Sequence, residues 1–450
     1  MSSESDPDLH RRNKLPPDNA SIEDPPTYES ATSKQRKCES LVGTLMLRTS
    51  SVFGLNPFTP PYSCKNDECR QLSFRDRICV KDLILCCFNI FVICNNLFLR
   101  VVPTITAKNM DWSAFSPKTA SLIQTAMGAV LPLICTLGMM MCSYHMHCLL
   151  QKLSDAHFLV INVKCDRAAR RWRMFFYFLM VFFIIGVFIQ LPTNMSIEFS
   201  TVANETEIVK IPLYAITSNF DKILVFLDRY YFPIIQFGVV KIPQLIIMMI
   251  SIRIAAMFQI EARQLANLAP TKHNLAAFFC RFRHIIIVLS MLECCFNKLT
   301  LAIVGTTVIN IIFTSYVSIR ELLLHGHALN NAPTPLLVGG WVALFTTFWS
   351  FCTIFSLMLN AVWIVFFIIP CIFCNEISRS SLSVITCMYV EDADAKLVKD
   401  QIIQKLMDPS WGLTLGKFVH IDRTFAITLM SFIFTVVIIW LQLETSLPKA

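Results

Sequence analysis

Charge is scarce in this sequence. Asp, Glu, Lys and Arg make up 16% of the 450 residues against 54% hydrophobic ones, and the mean hydropathy is +0.55, which excludes an ordinary soluble fold. Catalytic patterns are missing as well. There is no Gly-rich phosphate loop, no HExxH and no GxSxG, so neither an enzyme nor a cofactor or metal site is expected. His145 and His147 read as polar residues at a hydrated helix end, and the CxxC spacing of Cys371 and Cys374 has no second pair or His beside it. The segments expected to lie outside the cell contain none of the 18 cysteines, which excludes a disulfide framework. The first 50 residues are polar, rich in Pro and Ser, and lack the apolar run of a signal peptide. That tail is expected to be disordered, leaving the first span to insert by itself.

What is present is long apolar stretches. Runs near 20 residues are apolar on every face, the length that crosses a hydrocarbon core of about 30 Å. Helices are the element implied, because open strand edges cannot be satisfied in lipid. Spans are predicted at 83–102, 119–143, 174–191, 232–252, 299–318, 341–369 and 425–441. The stretches 284–324 and 340–375 exceed what a bilayer needs but are too short for two spans and a turn, so each reads as one projecting helix. The fold class is an all-α membrane protein with seven transmembrane helices. Residues 1–80 would be the disordered tail and juxtamembrane segment, 81–443 the membrane domain and 444–450 a short extracellular tail.

Orientation follows from the basic residues. The net charge of +8 is carried in short runs beside apolar segments, which is a topology signal and not a nucleic-acid footprint. With the N-terminus in the cytoplasm, Arg75, Arg77, Lys81, Lys164, Arg167, Arg170, Arg171, Arg173, Arg281 and Arg283 all fall inside, and the C-terminus is extracellular. Two glycosylation sequons, at Asn194 and Asn204, then fall on the lumenal side, with Asn204 better separated from the end of its span. Asn19 lies in a third sequon in the cytoplasmic tail and is expected to stay bare.

Two further motifs stand out. Asp228-Arg229-Tyr230 matches the DRY triplet of G-protein-coupled receptors, but it opens a span on the outer side instead of closing one on the inner side. It reads as a chance match. Pro25-Pro26-Thr27-Tyr28 is a PPxY element, the polyproline-type ligand of WW domains, and points to a WW-domain ubiquitin ligase as partner. The spans hold few ionisable residues, chiefly Lys241 and then Glu293 and Lys298, fewer than a proton-coupled transporter needs.

The last forty residues carry a recognisable pattern. Gly412-Leu413-Thr414-Leu415-Gly416-Lys417-Phe418-Val419-His420-Ile421-Asp422-Arg423 leads into a span ending in Thr435, five residues from 437 to 441 and Gln442. This resembles the C-terminal signature of the invertebrate gustatory receptor family, with Val436 in place of its Tyr and Leu443 in place of its Phe. The resemblance implies a homotetramer, or a hetero-oligomer with related receptors, forming a ligand-gated non-selective cation channel in the plasma membrane of sensory neurons. The seventh span would line the pore, and the stimulus pocket would lie in the outer half of each subunit. Nematode branches of the family include light- and peroxide-sensing members. On that reading Trp341, Trp349 and Tyr316 are pocket candidates, and Phe434, Val437, Leu441 and Gln442 are pore candidates, the first three for their three- and four-residue spacing. A metabotropic seven-transmembrane receptor and a secondary transporter remain the competing classes.

Overall fold

The computed structural model describes residues 46–58, 62–65, 68–71, 78–106, 117–160, 226–331 and 361–446, with Met174, Tyr177, Phe178, Val181, Ile185, Ile223, Leu224 and Met358 singly. Among the described residues six helices are long and apolar enough to cross a membrane. Five of them overlap expected spans closely, and the helix at 361–387 shares residues 361–369 with the expected span 341–369, most of which lies outside the described residues. The remaining span, 174–191, lies mostly outside the described residues, although its five described positions are all helical and exposed.

We number the helices α1 (Val80–Thr106), α2 (Pro117–Val160), α3 (Phe232–Ala266), α4 (Lys272–Asn331), α5 (361–378), α6 (Ser381–Cys387), α7 (Ala393–Met407) and α8 (Arg423–Ser446). There are also two small hairpins, β1 (Tyr62–Lys65) with β2 (Glu68–Gln71) ahead of α1, and β3 (Thr414–Leu415) with β4 (Val419–His420) between α7 and α8. At 1.5 Å per residue the 60 residues of α4 run about 90 Å, so the expectation of one unbroken helix through 284–324 is met with residues to spare. Its start is set locally. Pro270 cannot continue α3, and the Thr271 hydroxyl accepts the amide of Asn274 at 3.4 Å.

Helix α3 sits at the centre: 72% of its most apolar stretch is buried by the rest of the chain, its buried polar side chains included. Helix α2 packs most extensively along α4 and also against α3 and α1. Pro132 in α2 has no N–H to give to the Gly128 carbonyl, and the Gln236 amide of α3 donates to that carbonyl at 2.8 Å instead. A proline break in one helix thus becomes a polar tie to the next.

Beyond bilayer length, the end of α3 and the start of α4 form a base with α6, α7 and β3–β4. Glu261, its side chain fully buried, takes Arg281 at 2.8 and 3.3 Å, and Phe258, Phe278, Phe282 and Trp411 pack ring against ring beside it. Lys272 reaches Asp394 on α7 at 2.7 Å, and that hydrogen bond holds the Asp394 carboxyl below its usual range.

The N-terminal tail departs from expectation. At the end of the tail expected to be disordered, residues 46–50 are helical, and in the juxtamembrane segment that follows Leu55 is fully buried. Phe53 lies so close to α3 that a Cβ on Gly238 would meet its ring at 2.1 Å, and the Phe53 carbonyl accepts from Asn89 of α1 at 2.7 Å. Only glycine at 238 leaves room for this ring.

Candidate functional site

Helix α8 is held at its start and bare along its length. Asn375 clamps the preceding hairpin: its amide donates to the carbonyls of Leu413 and Ile421, both at 2.9 Å, and its carbonyl accepts the Leu413 amide at 2.7 Å. Thr414 donates to Glu293 of α4 at 2.5 Å. Gly416 takes the turn at φ +62° against Leu301, where a Cβ would come within 2.6 Å of the Leu301 side chain. Asp422 then accepts the amide of Phe425 at 2.7 Å, a capping bond at a helix N-terminus, and Arg423 pairs with Glu376 of α5 at 2.6 Å.

One side of α8 packs on its own subunit. Ile433 and Val437 are buried, Ala426, Leu429 and Val436 lean on the same core, and Trp440 sits edge-on to Phe313 at 4.8 Å and tilted on Tyr316 at 5.4 Å. The other side is open. Only 11% of the most apolar stretch of α8 is buried. Within residues 424–442 every hydroxyl and amide side chain lies on this open side: Thr424, Thr428, Ser431, Thr435 and Gln442. At 100° per residue they fall within a sector of about 60° opposite Ile433. Thr435 returns its hydroxyl proton to the Ser431 carbonyl at 2.8 Å, which leaves its oxygen lone pairs facing outward.

This arrangement divides the group Phe434, Val437 and Leu441 that the spacing had put on one face. Val437 is only 7% exposed and faces its own core, Leu441 packs half-buried beside Trp440, and Phe434 is 62% exposed. The reason is angular. Val437 is about 60° from Phe434, enough to fall across the boundary between packed and open sides. Gln442 and Thr435 do share a face. Tyr316 is fully buried as a wall against Trp440. Trp341, Trp349, Asn194, Asn204, Pro25, Pro26 and Tyr28 all lie outside the described residues.

Lys241 and Asp228 are among the polar groups buried inside the bundle. Lys241 of α3 is enclosed with its ammonium 5.1 Å from the Trp363 ring and 5.7 Å from the Phe237 ring, and the Trp363 indole N–H donates to Gln244. Asp228, in a π-helical turn at Leu227–Tyr231 before α3, accepts from Asn96 of α1 at 2.5 Å. The Asp of the DRY-like triplet thus ties α1 to α3 inside the protein. Sequence spacing gave Lys241 its place among intramembrane charges but gave no hint of the Asp228–Asn96 pair.

No protein-family model and no curated protein matches the sequence. Among solved structures, the insect olfactory receptor OR5 from Machilis hrabei matches with a TM-score of 0.64 at 11% identity, over 91% of this chain and 99% of that chain. The same receptor in complex with eugenol matches at 0.60 and 10%, with the same coverage. The chain has the fold of an insect olfactory receptor. The expected likeness to invertebrate chemoreceptors is met at that level, and a likeness of fold does not separate gustatory from olfactory types. Among the six described spans of this fold, α8 is the last in the chain and the one its own chain covers least.

Proposed function

We propose that this protein is a subunit of a ligand-gated, non-selective cation channel with a chemosensory role, and that α8 lines its conducting path. The observation that carries the proposal is the stripe of Thr424, Thr428, Ser431, Thr435 and Gln442 on the uncovered side of α8. Facing hydrocarbon, hydroxyls and an amide give up the water that would use their remaining hydrogen-bonding capacity. Around a water-filled axis shared by several copies they stay solvated, and the intervening Ile438, 52% exposed, supplies an apolar ring able to gate by dewetting.

The subunit carries seven spans, including 174–191, with its N-terminus in the cytoplasm and Asn204 outside, as the distribution of basic residues supports. The fold likeness and the family signature together support a homotetramer in the plasma membrane. The solved neighbour was captured with eugenol, which supports a small-molecule stimulus. A stimulus seated near Tyr316 would act on the pore helix directly, because Tyr316 touches Trp440 of α8.

The test is current recording from cells expressing the full chain, under tastants, ultraviolet light and peroxide. A stimulus-dependent cation current whose conductance changes with Ser431→Asp supports the channel. Second-messenger responses without current from well-expressed protein would favour the metabotropic class instead.

A further inference from the structure

A cavity of about 350 Å³ lies away from α8, where the packed N-terminal segment meets the first turn of α1 and the middle of α2. Pro57, Phe58, Leu83, Met140, Tyr144 and His145 are among the residues that line it. Its volume is within the range of small-molecule sites. Three contacts fix its walls relative to one another. The Phe58 carbonyl is bonded to His147 Nε2 at 3.0 Å, the Phe58 ring stands edge-on to Tyr144 at 5.7 Å, and residue 58 bridges to Ile78 at the foot of α1.

The walls are apolar except for Tyr144 and His145, so water gains few hydrogen bonds inside, while an empty space would forfeit the contacts its lining atoms could make. Something apolar is called for. The side chains that flank the cavity on the outer surface of the same two helices, Val80, Ile84 and Met141, are 66%, 63% and 75% exposed, and on membrane spans such residues face lipid. The cavity therefore opens toward hydrocarbon at the membrane level where α1 begins. Half-buried Tyr144 and exposed His145 stand at its polar edge and can hydrogen-bond an ester or carboxyl oxygen.

We propose that this cavity is a lipid site that takes up one acyl chain from the leaflet where α1 begins, with the lipid's carbonyl group at Tyr144 and His145. It is separate from the pore stripe and from the Tyr316 contact, and does not depend on which side of the membrane α1 starts.

The full chain, reconstituted in nanodiscs, is irradiated with either a phosphatidylcholine or a free fatty acid carrying a diazirine in its acyl chain, and labelled peptides are located by mass spectrometry. Labelling is expected to concentrate on 78–83 and 140–145. It should fall at least fivefold in Leu83→Trp, which fills the cavity, and in Met141→Trp, which narrows the mouth from an exposed position and leaves packing intact. Labelling by the phosphatidylcholine assigns a membrane phospholipid, and labelling by the fatty acid alone assigns a free acid. Even labelling along lipid-facing positions such as Phe91 and Phe98, unchanged in both variants, would overturn the site.

Discussion

Helices α3 and α8 are both apolar enough to cross a membrane, and the chain treats them in opposite ways. α8 is the more apolar of the two, yet 11% of its apolar stretch is buried against 72% for α3. Apolarity therefore says that a helix belongs in the bilayer and nothing about whether it is central or peripheral. Pattern does. The polar groups of α3 are turned inward and matched one by one: Gln236 to the Gly128 carbonyl, Gln244 to Trp363, Glu261 to Arg281. Those of α8 line up on its exposed side, where Thr435 bonds back to the Ser431 carbonyl of its own helix.

The comparison can be broken at the ion pairs first. Glu261→Ala leaves Arg281 without its buried partner and should cost about 3–5 kcal/mol. Arg423→Ala, at the start of α8, removes a pair whose arginine is 77% exposed and should cost under about 1 kcal/mol. Thermal unfolding of the detergent-purified protein reads both, and equal losses would erase the contrast. Within α8 itself, Ile433→Ala on the packed side should destabilise by about 2–5 kcal/mol. Ile438→Ala on the open side should stay within about 0.5 kcal/mol by the same assay.

Charge sharpens the contrast further. Val239→Asp puts a carboxylate into the fully buried middle of α3 and should cost roughly 3 kcal/mol, seen as lost surface expression. Ser431→Asp on the α8 stripe should reach the surface at normal levels. Gln236→Leu orphans the Gly128 carbonyl beside Pro132 and should cost about 1–3 kcal/mol, visible as faster amide exchange in the first half of α2. Unchanged exchange would mean that the carbonyl finds another partner.

Much of this contrast was present in the sequence, but not all of it was legible there. Spans follow from apolar length, and the 60-residue α4 from the lack of any break across 284–324. The stripe was legible too, because Thr424, Thr428, Ser431 and Thr435 recur at four, three and four residues. Grouping apolar residues by spacing instead picked out Phe434, Val437 and Leu441, a set that straddles the boundary between sides. Which apolar face packs is decided by partners such as Phe313 and Tyr316, more than a hundred residues away in the chain. The buried segment 46–58 was hidden for a related reason. Its apolar residues are too few to form a span, and its place depends on the missing side chain of Gly238.

The most direct test of the account is a cysteine scan of α8 during activation. Single cysteines at Thr428, Thr435 and Gln442 are compared with cysteines at Ile433 and Val437, with current recorded while a charged, water-soluble thiol reagent is applied. The account predicts that the first three are modified and alter the current while the last two are not. Modification at Ile433 and Val437 with none on the stripe, in protein that conducts, would contradict it.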